Sequence, residues 1–136
     1  MKKQKETFFF FHIEDPTAFK TALGTYLPHI TSTATILSAP ALQPLAFVNV
    51  AFSQTGLNAL GITDNLGDSL FSAGQFADAP SLSDDMSQWE EPFKGTDIHG
   101  VFLIGSDQVR HNVLITEHSS SYLRRLRTQT PMRATL

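Results

Sequence analysis

Four consecutive phenylalanines, Phe8 to Phe11, sit inside the stretch TFFFFHI and run straight into Glu14, Asp15 and Pro16. So dense an apolar run has to be buried, and it is too short for a buried helix. A strand is therefore expected over Thr7–Ile13. Asp15 ahead of Pro16 has the chemistry of a helix N-cap followed by a first-turn proline. Ala18, Phe19, Ala22, Leu23, Tyr26 and Leu27 then recur at helical spacing, which predicts a helix ending near Pro28. Lys2, Lys3 and Lys5 before the phenylalanines imitate the basic and apolar regions of a signal peptide. The run stops against Glu14 and Asp15 with no small-residue cleavage site, so the strand reading is preferred and no export signal is expected.

Farther along, SAPALQP marks a proline-rich connection. LAFVNVAFS, Leu45 to Ser53, sets Phe47 and Asn49 against Val48 and Val50 and predicts a second strand. QTGLNALGI predicts a short helix with Gly61 as its C-cap. Thr63 to Gly95 is rich in Asp, Ser, Gly, Ala and Pro, and reads as a long decorated loop holding a short helical turn. HGVFLIGS, His99 to Ser106, predicts a third strand, apolar enough for burial on both faces.

This order predicts an α+β fold: a partial ferredoxin-like sandwich, an antiparallel sheet with helices on one face. A complete sandwich needs one more helix and a fourth strand, and the tail supplies them poorly. Val109, Val113 and Ile115 permit a helix after Asp107, but Ser119–Ser121 interrupt it and no alternating strand follows. The fold is thus expected to be incomplete at the C-terminus.

At 136 residues the chain has room for one core. Its 41% apolar and 17% charged residues fit a globular protein, and a net charge of −3 gives no reason to expect a nucleic-acid partner. With no cysteine, disulfides, zinc–thiolate sites and cysteine nucleophiles are excluded. No apolar run approaches the roughly 20 residues that span a bilayer, so no membrane partner is expected.

The histidines are His12, His29, His99, His111 and His118. His12 and His99 read as hydrogen-bonded core or edge residues, and the separation of His111 and His118 does not put two ligands on one helix face. Asp84-Asp85 and Glu90-Glu91 around Trp89, and Asp64 and Asp68 among glycines, read as turns and caps rather than cation sites. Trp89 reads as a half-buried anchor of the loop rather than a surface redox residue. No G-x-S-x-G, P-loop or GxGxxG motif is present. From residue chemistry alone, no active site is assembled.

NVAFSQTGLNALGITDNLGDSLFSAGQFADA, Asn49 to Ala79, resembles the corresponding stretch of fungal dye-decolorising (DyP-type) haem peroxidases. So do the opening MKKQKETFFFFHIEDPTAFKTAL and WEEPFKGTDIHGVFLIGSD, Trp89 to Asp107. The resemblance is ordered and nearly free of gaps from about Lys2 to Asp107. It implies two ferredoxin-like domains in the whole enzyme, haem held largely against the second, and hydrogen peroxide used to oxidise dyes and phenolic compounds. It also implies a distal aspartate in a GxxDG motif, a distal arginine and a proximal histidine, which assist O–O cleavage and tune the iron.

None of those residues finds a place here. GITDN, Gly61 to Asn65, ends in Asn and matches a different, earlier segment of the family. Arg110 and the later arginines fall where the family continues with helix and strand, and neither His111 nor His118 has the context of the proximal ligand. The front is shortened too, since family members begin with a segment containing QG ahead of the basic stretch. No catalytic, cofactor-binding or metal residue is therefore assigned.

Residues 1–107 are expected to be the early part of the first ferredoxin-like domain, and 108–136 a divergent basic tail. Up to Asp107 there are 12 acidic residues against five lysines, whereas from Gln108 on there are five arginines against Glu117. After Gly105 there is no Phe, Gly or Lys. This break points to a changed reading frame, a retained intron or altered splicing, with a genuine alternative ending as the other reading. The first expectation is a truncated N-terminal fragment that binds no haem and is inactive alone. The second is a non-catalytic ferredoxin-like module that associates with itself, or with a full-length relative, through an open sheet edge. The third is an electrostatic binder using Arg124, Arg125 and Arg127.

Overall fold

The structure, a computed structural model, describes residues 5–38, 46–64 and 66–106. Three strands, β1 (Lys5–Phe11), β2 (Ala46–Phe52) and β3 (Gly100–Ser106), form one antiparallel sheet in the order β1-β3-β2. β3 is thus central and pairs along its whole length on both sides, with Phe9 opposite Phe102, which in turn faces Val50. The described residues supply three of the four strands of a ferredoxin-like sandwich, in an α+β arrangement.

Alternation along the strands sorts the side chains onto two faces. One face carries Phe9 and Phe11 from β1, Phe102 and Ile104 from β3, and Val48, Val50 and Phe52 from β2. Against it pack Phe19, Leu23 and Tyr26 of helix α1 (Pro16–Tyr26), together with Ile30 and Leu60. Phe11 is the hub of this core. Its ring centroid lies 5.2 Å from Phe19, 5.4 Å from Phe102 and 5.8 Å from Phe52. Burying such a side chain contributes about 1.5–3 kcal/mol, and each well-oriented aromatic pair adds roughly 0.5–1.5 kcal/mol. The opposite face presents Phe8, Phe10, Phe47, Val101 and Leu103, all half-buried. Phe93 covers Phe10 edge-on at 4.9 Å. β3 is therefore fully buried on one face only, which narrows the expectation of burial on both.

Asp15 caps α1 as its sequence context predicts, its Oδ1 accepting from the N–H groups of Thr17 (2.9 Å) and Ala18 (3.0 Å). A 3₁₀ turn over Leu27–His29 then takes up Pro28. Helix α2 (Thr33–Ser38) is not anticipated by the sequence, because Thr33, Thr35 and Ile36 are β-branched and poor helix formers. It starts because Ser32 Oγ accepts the Thr35 N–H at 3.1 Å. Helix α3 (Gln54–Ala59) is capped by Ser53 and followed by Gly61 at φ +76°, the left-handed conformation that favours glycine.

The excursion is more helical than expected. It holds α4 (Ser69–Ala73) and α5 (Gln75–Asp78), then 3₁₀ turns at Ala79–Leu82, Met86–Gln88 and Glu91–Phe93. Each piece is too short to show periodicity. Local chemistry starts them instead: Asp68 and Asp85 as caps, and Pro80 and Pro92 in first turns. Among the described residues no helix is long and apolar enough to cross a membrane. The connection through Pro40 and Pro44, and the expected helix after Asp107, lie outside the described residues.

Two glycines separate close packing from conformational cost. A Cβ at Gly100 would fall 2.5 Å from the Ala51 carbonyl oxygen and 2.5 Å from the Phe11 ring. Gly24, in α1, has nothing within 4 Å of such a Cβ. Gly100→Ala should thus destabilise the fold by about 1–3 kcal/mol through overpacking. Gly24→Ala should stabilise it by about 0.5–1 kcal/mol through helix propensity. Urea unfolding of both variants checks the opposite signs.

Candidate functional site

The groups with titratable chemistry converge at one end of the sheet, where β1 ends, β3 begins and α3 starts. The strand expected to reach Ile13 leaves the ladder after Phe11, because His12 and Ile13 turn to other partners. His12 Nδ1 lies 2.8 Å from the Asp97 carbonyl oxygen; that oxygen only accepts, so this nitrogen carries the proton and donates. The Ile13 N–H donates to His99 Nδ1 at 2.9 Å, which makes Nδ1 an acceptor and puts the neutral ring's proton on Nε2. The two imidazoles stack, centroids 4.0 Å apart and planes 27° from parallel.

The backbone holds this pair from both sides. The His99 N–H donates to the Phe11 carbonyl at 2.9 Å, and the Ser53 N–H donates to the His99 carbonyl at 3.1 Å. Ser53 Oγ donates to the Ile98 carbonyl at 2.8 Å while accepting from the Gly56 N–H, and Thr55 Oγ1 donates to the Thr96 carbonyl at 3.0 Å. Gly56 is buried so tightly against His99 that a Cβ there would collide with the His99 carbonyl. Thr96–His99 is therefore fastened to both outer strands before β3 begins. Sequence reasoning treats His12 and His99 as separate edge residues. No local signal pairs them, since the contact depends on β1 and β3 lying side by side.

The remaining candidates do structural work. Asp84 Oδ2 accepts the Trp89 indole N–H at 3.1 Å, and the Trp89 ring meets Phe76 edge-on at 5.9 Å, so Trp89 anchors the loop. Asp85 caps the turn at Met86, and its hydrogen bonds to Ser87 hold its carboxyl below the ordinary range. Glu91 pairs with Lys94 at 2.9 Å on the surface, a contact of small energetic weight. Asp68 caps α4, Asp64 is exposed, and His29 lies against Tyr26. Among the described residues no three metal-ligating side chains come together. Asn65, Arg110, His111, His118 and the tail arginines lie outside the described residues.

Haem does not fit the described residues. The cleft between Phe10, Phe71, Phe76, Phe93 and Ile98 measures about 140 Å³, whereas pockets that enclose even a drug-sized ligand run to roughly 300–1,000 Å³. His12 and His99 each have Nδ1 committed and one ring face closed by the other, so neither presents an axial ligand to an open, apolar hemisphere. What the pair can do is respond to protons.

Burial and the neighbouring His12 hold the His99 imidazole below its ordinary value, with Asp97 pulling weakly the other way. The unfolded chain takes up this proton near pH 6.5, while the folded chain resists it to lower pH. Stability is then complete above about pH 6.5 and falls as the pH drops below it. Urea unfolding at pH 7.5 and 5.5 should show this loss. His99→Asn, which keeps an acceptor for the Ile13 N–H but cannot titrate, should lose less. Equal losses in the two proteins would contradict the assignment.

A family model described as the DyP dimeric alpha+beta barrel domain matches residues 1–127. The chain is 52% identical over 107 residues to dye-decolorizing peroxidase AauDyP1 of Auricularia auricula-judae, covering 79% of this chain and 21% of that protein. It is 58% identical over 112 residues to Peroxidase 2 of Mycetinis scorodonius, covering 80% of this chain and 22% of that protein. The chain thus spans about a fifth of the length of the curated relatives it matches. Among solved structures it resembles a dye-decolorizing peroxidase in complex with 2,6-dimethoxyphenol, with a TM-score of 0.88 and 57% identity over 98% of this chain and 31% of that one. It also resembles a dye-decolorizing peroxidase from Auricularia auricula-judae, with a TM-score of 0.82 and 44% identity over 98% of this chain and 30% of that one. This chain belongs to the DyP dimeric alpha+beta barrel domain family of the fungal dye-decolorizing peroxidases.

Proposed function

We propose that these residues form the opening part of the first α+β unit of a hydrogen-peroxide-dependent haem peroxidase acting on dyes and phenolic compounds. As an N-terminal fragment lacking the catalytic half, the chain binds no haem and is inactive alone. One observation carries the reading: identity of 52% is confined to 21% of the relative's length. The small aromatic cleft and the committed histidines support the same conclusion. A division at Asp107 between the peroxidase-like portion and a basic tail is part of this proposal and is supported by the switch from lysine to arginine. The family match itself runs on to residue 127.

A second reading, a non-catalytic module that associates with itself, is supported by the outer side of β1, which has no strand neighbour among the described residues. Titrating the purified chain with haemin tests the first reading. The expected result is no stoichiometric Soret band, and no dye bleaching above free haemin when peroxide is added. A one-to-one band with multiple turnovers would overturn it.

A further inference from the structure

The two outer edges of the sheet are built differently. On β2, the bond from the Ser53 N–H to the His99 carbonyl continues a ladder made by odd-numbered residues. The backbone groups of Val48 and Val50 therefore face outward. Both of these N–H groups are taken: Val48 donates to Thr31 Oγ1 at 3.0 Å and Val50 to Asn49 Oδ1 at 3.0 Å. The Val48 carbonyl in turn accepts the Thr31 N–H at 2.8 Å. A further strand cannot pair there without breaking these bonds.

On β1 the Phe11 carbonyl faces β3, so odd-numbered residues make the inner ladder and Glu6, Phe8 and Phe10 turn theirs outward. Among the described residues nothing bonds those outward N–H and C=O groups. An apolar strand edge left open in this way is a template for another strand.

We propose that the open edge of β1 pairs antiparallel with the same edge of a second copy, about a two-fold axis through Phe8, to give one continuous sheet of six strands. The proposal rests on the self-association reading and adds the edge and the register. Register follows from the strand itself. β1 runs from Lys5 to Phe11, with Phe8 at its centre. An axis there sets Phe8 against its counterpart and Glu6 against Phe10 of the second copy, so all three open residues pair within the strand.

Neighbouring registers are worse for stated reasons. An axis on Glu6 puts two Glu6 carboxylates opposite each other, and one on Phe10 sets Glu6 against Glu14; like charges directly opposite are unfavourable. An axis on Thr7 or Phe9 leaves Phe10 or Glu6 facing a residue beyond the strand ends. A two-fold contact of this kind closes on itself and leaves only the blocked β2 edges outside.

The chain has no cysteine, so a single thiol reports the contact cleanly. In the proposed register the Phe8 Cα atoms form a hydrogen-bonded pair about 5.5 Å apart, within the roughly 4.4–6.8 Å that a disulfide spans. Phe8→Cys should cross-link into a dimer under mild oxidation at least tenfold faster than Ala51→Cys on β2. Sedimentation should show the unaltered chain as a dimer. Phe8→Pro, which removes one outward N–H at an edge where proline is tolerated, should be monomeric with an unchanged circular dichroism spectrum. A dimer in which Ala51→Cys cross-links as fast as Phe8→Cys would overturn the register and leave self-association standing. A monomer at all concentrations would overturn both. If Phe8→Pro fails to fold, the comparison of cross-linking rates decides.

Discussion

Everything described depends on β3 lying between β1 and β2. It is the last of the three strands in the sequence, yet neither of the other two touches its sheet neighbours without it. β1 and β2 both run antiparallel to β3, and Phe102 and Ile104 place their side chains between those of the outer strands. The aromatic core on the α1 side follows from that placement, because Phe11, Phe52 and Phe102 meet only when the three strands are in register. The long excursion between β2 and β3 must therefore close before the core exists, and loop closure over such a distance is an entropic cost that local turns reduce. The capped turns at Asp68 and Asp85 and the first-turn prolines fit that role.

At the end of the excursion the chain is fastened before it enters β3. His12, Ser53, Thr55 and Gly56 hold Thr96–His99 with side chains, backbone bonds and close contact. This cluster has the residue types of a reactive site and none of the geometry of one. Its hydroxyls are engaged with carbonyls, and its imidazoles with a carbonyl and an amide. In a protein that belongs to a peroxidase family but spans a fifth of its relatives, the titratable groups present serve the scaffold.

The apolar runs placed all three strands to within two residues, and Asp15-Pro16 located the start of α1 correctly. Strand ends were less legible. His12 and Ile13 look like strand by composition, but bonds to Asp97 and His99, distant in sequence, take them out of the ladder. Ser53 and His99 were likewise read as strand, and they serve as a helix cap and the fastening ahead of β3. Helix α2 was hidden by its β-branched residues, and the turns of the excursion by their shortness. The stacked histidines had no local signature at all. The family was readable because three separated stretches matched in order, which no single motif in the chain provides.

Residue-resolved amide hydrogen exchange tests the central role of β3 most directly, since protection reports the free energy of opening at each site. The account predicts that the amides of Val101 to Ile104 exchange last, with those of Thr7, Phe9 and Phe11 on β1 and Phe47, Asn49 and Ala51 on β2 opening earlier or together with them. If β3 amides exchanged before those of β1 or β2, the sheet would not be organised around its central strand, and the account would be contradicted.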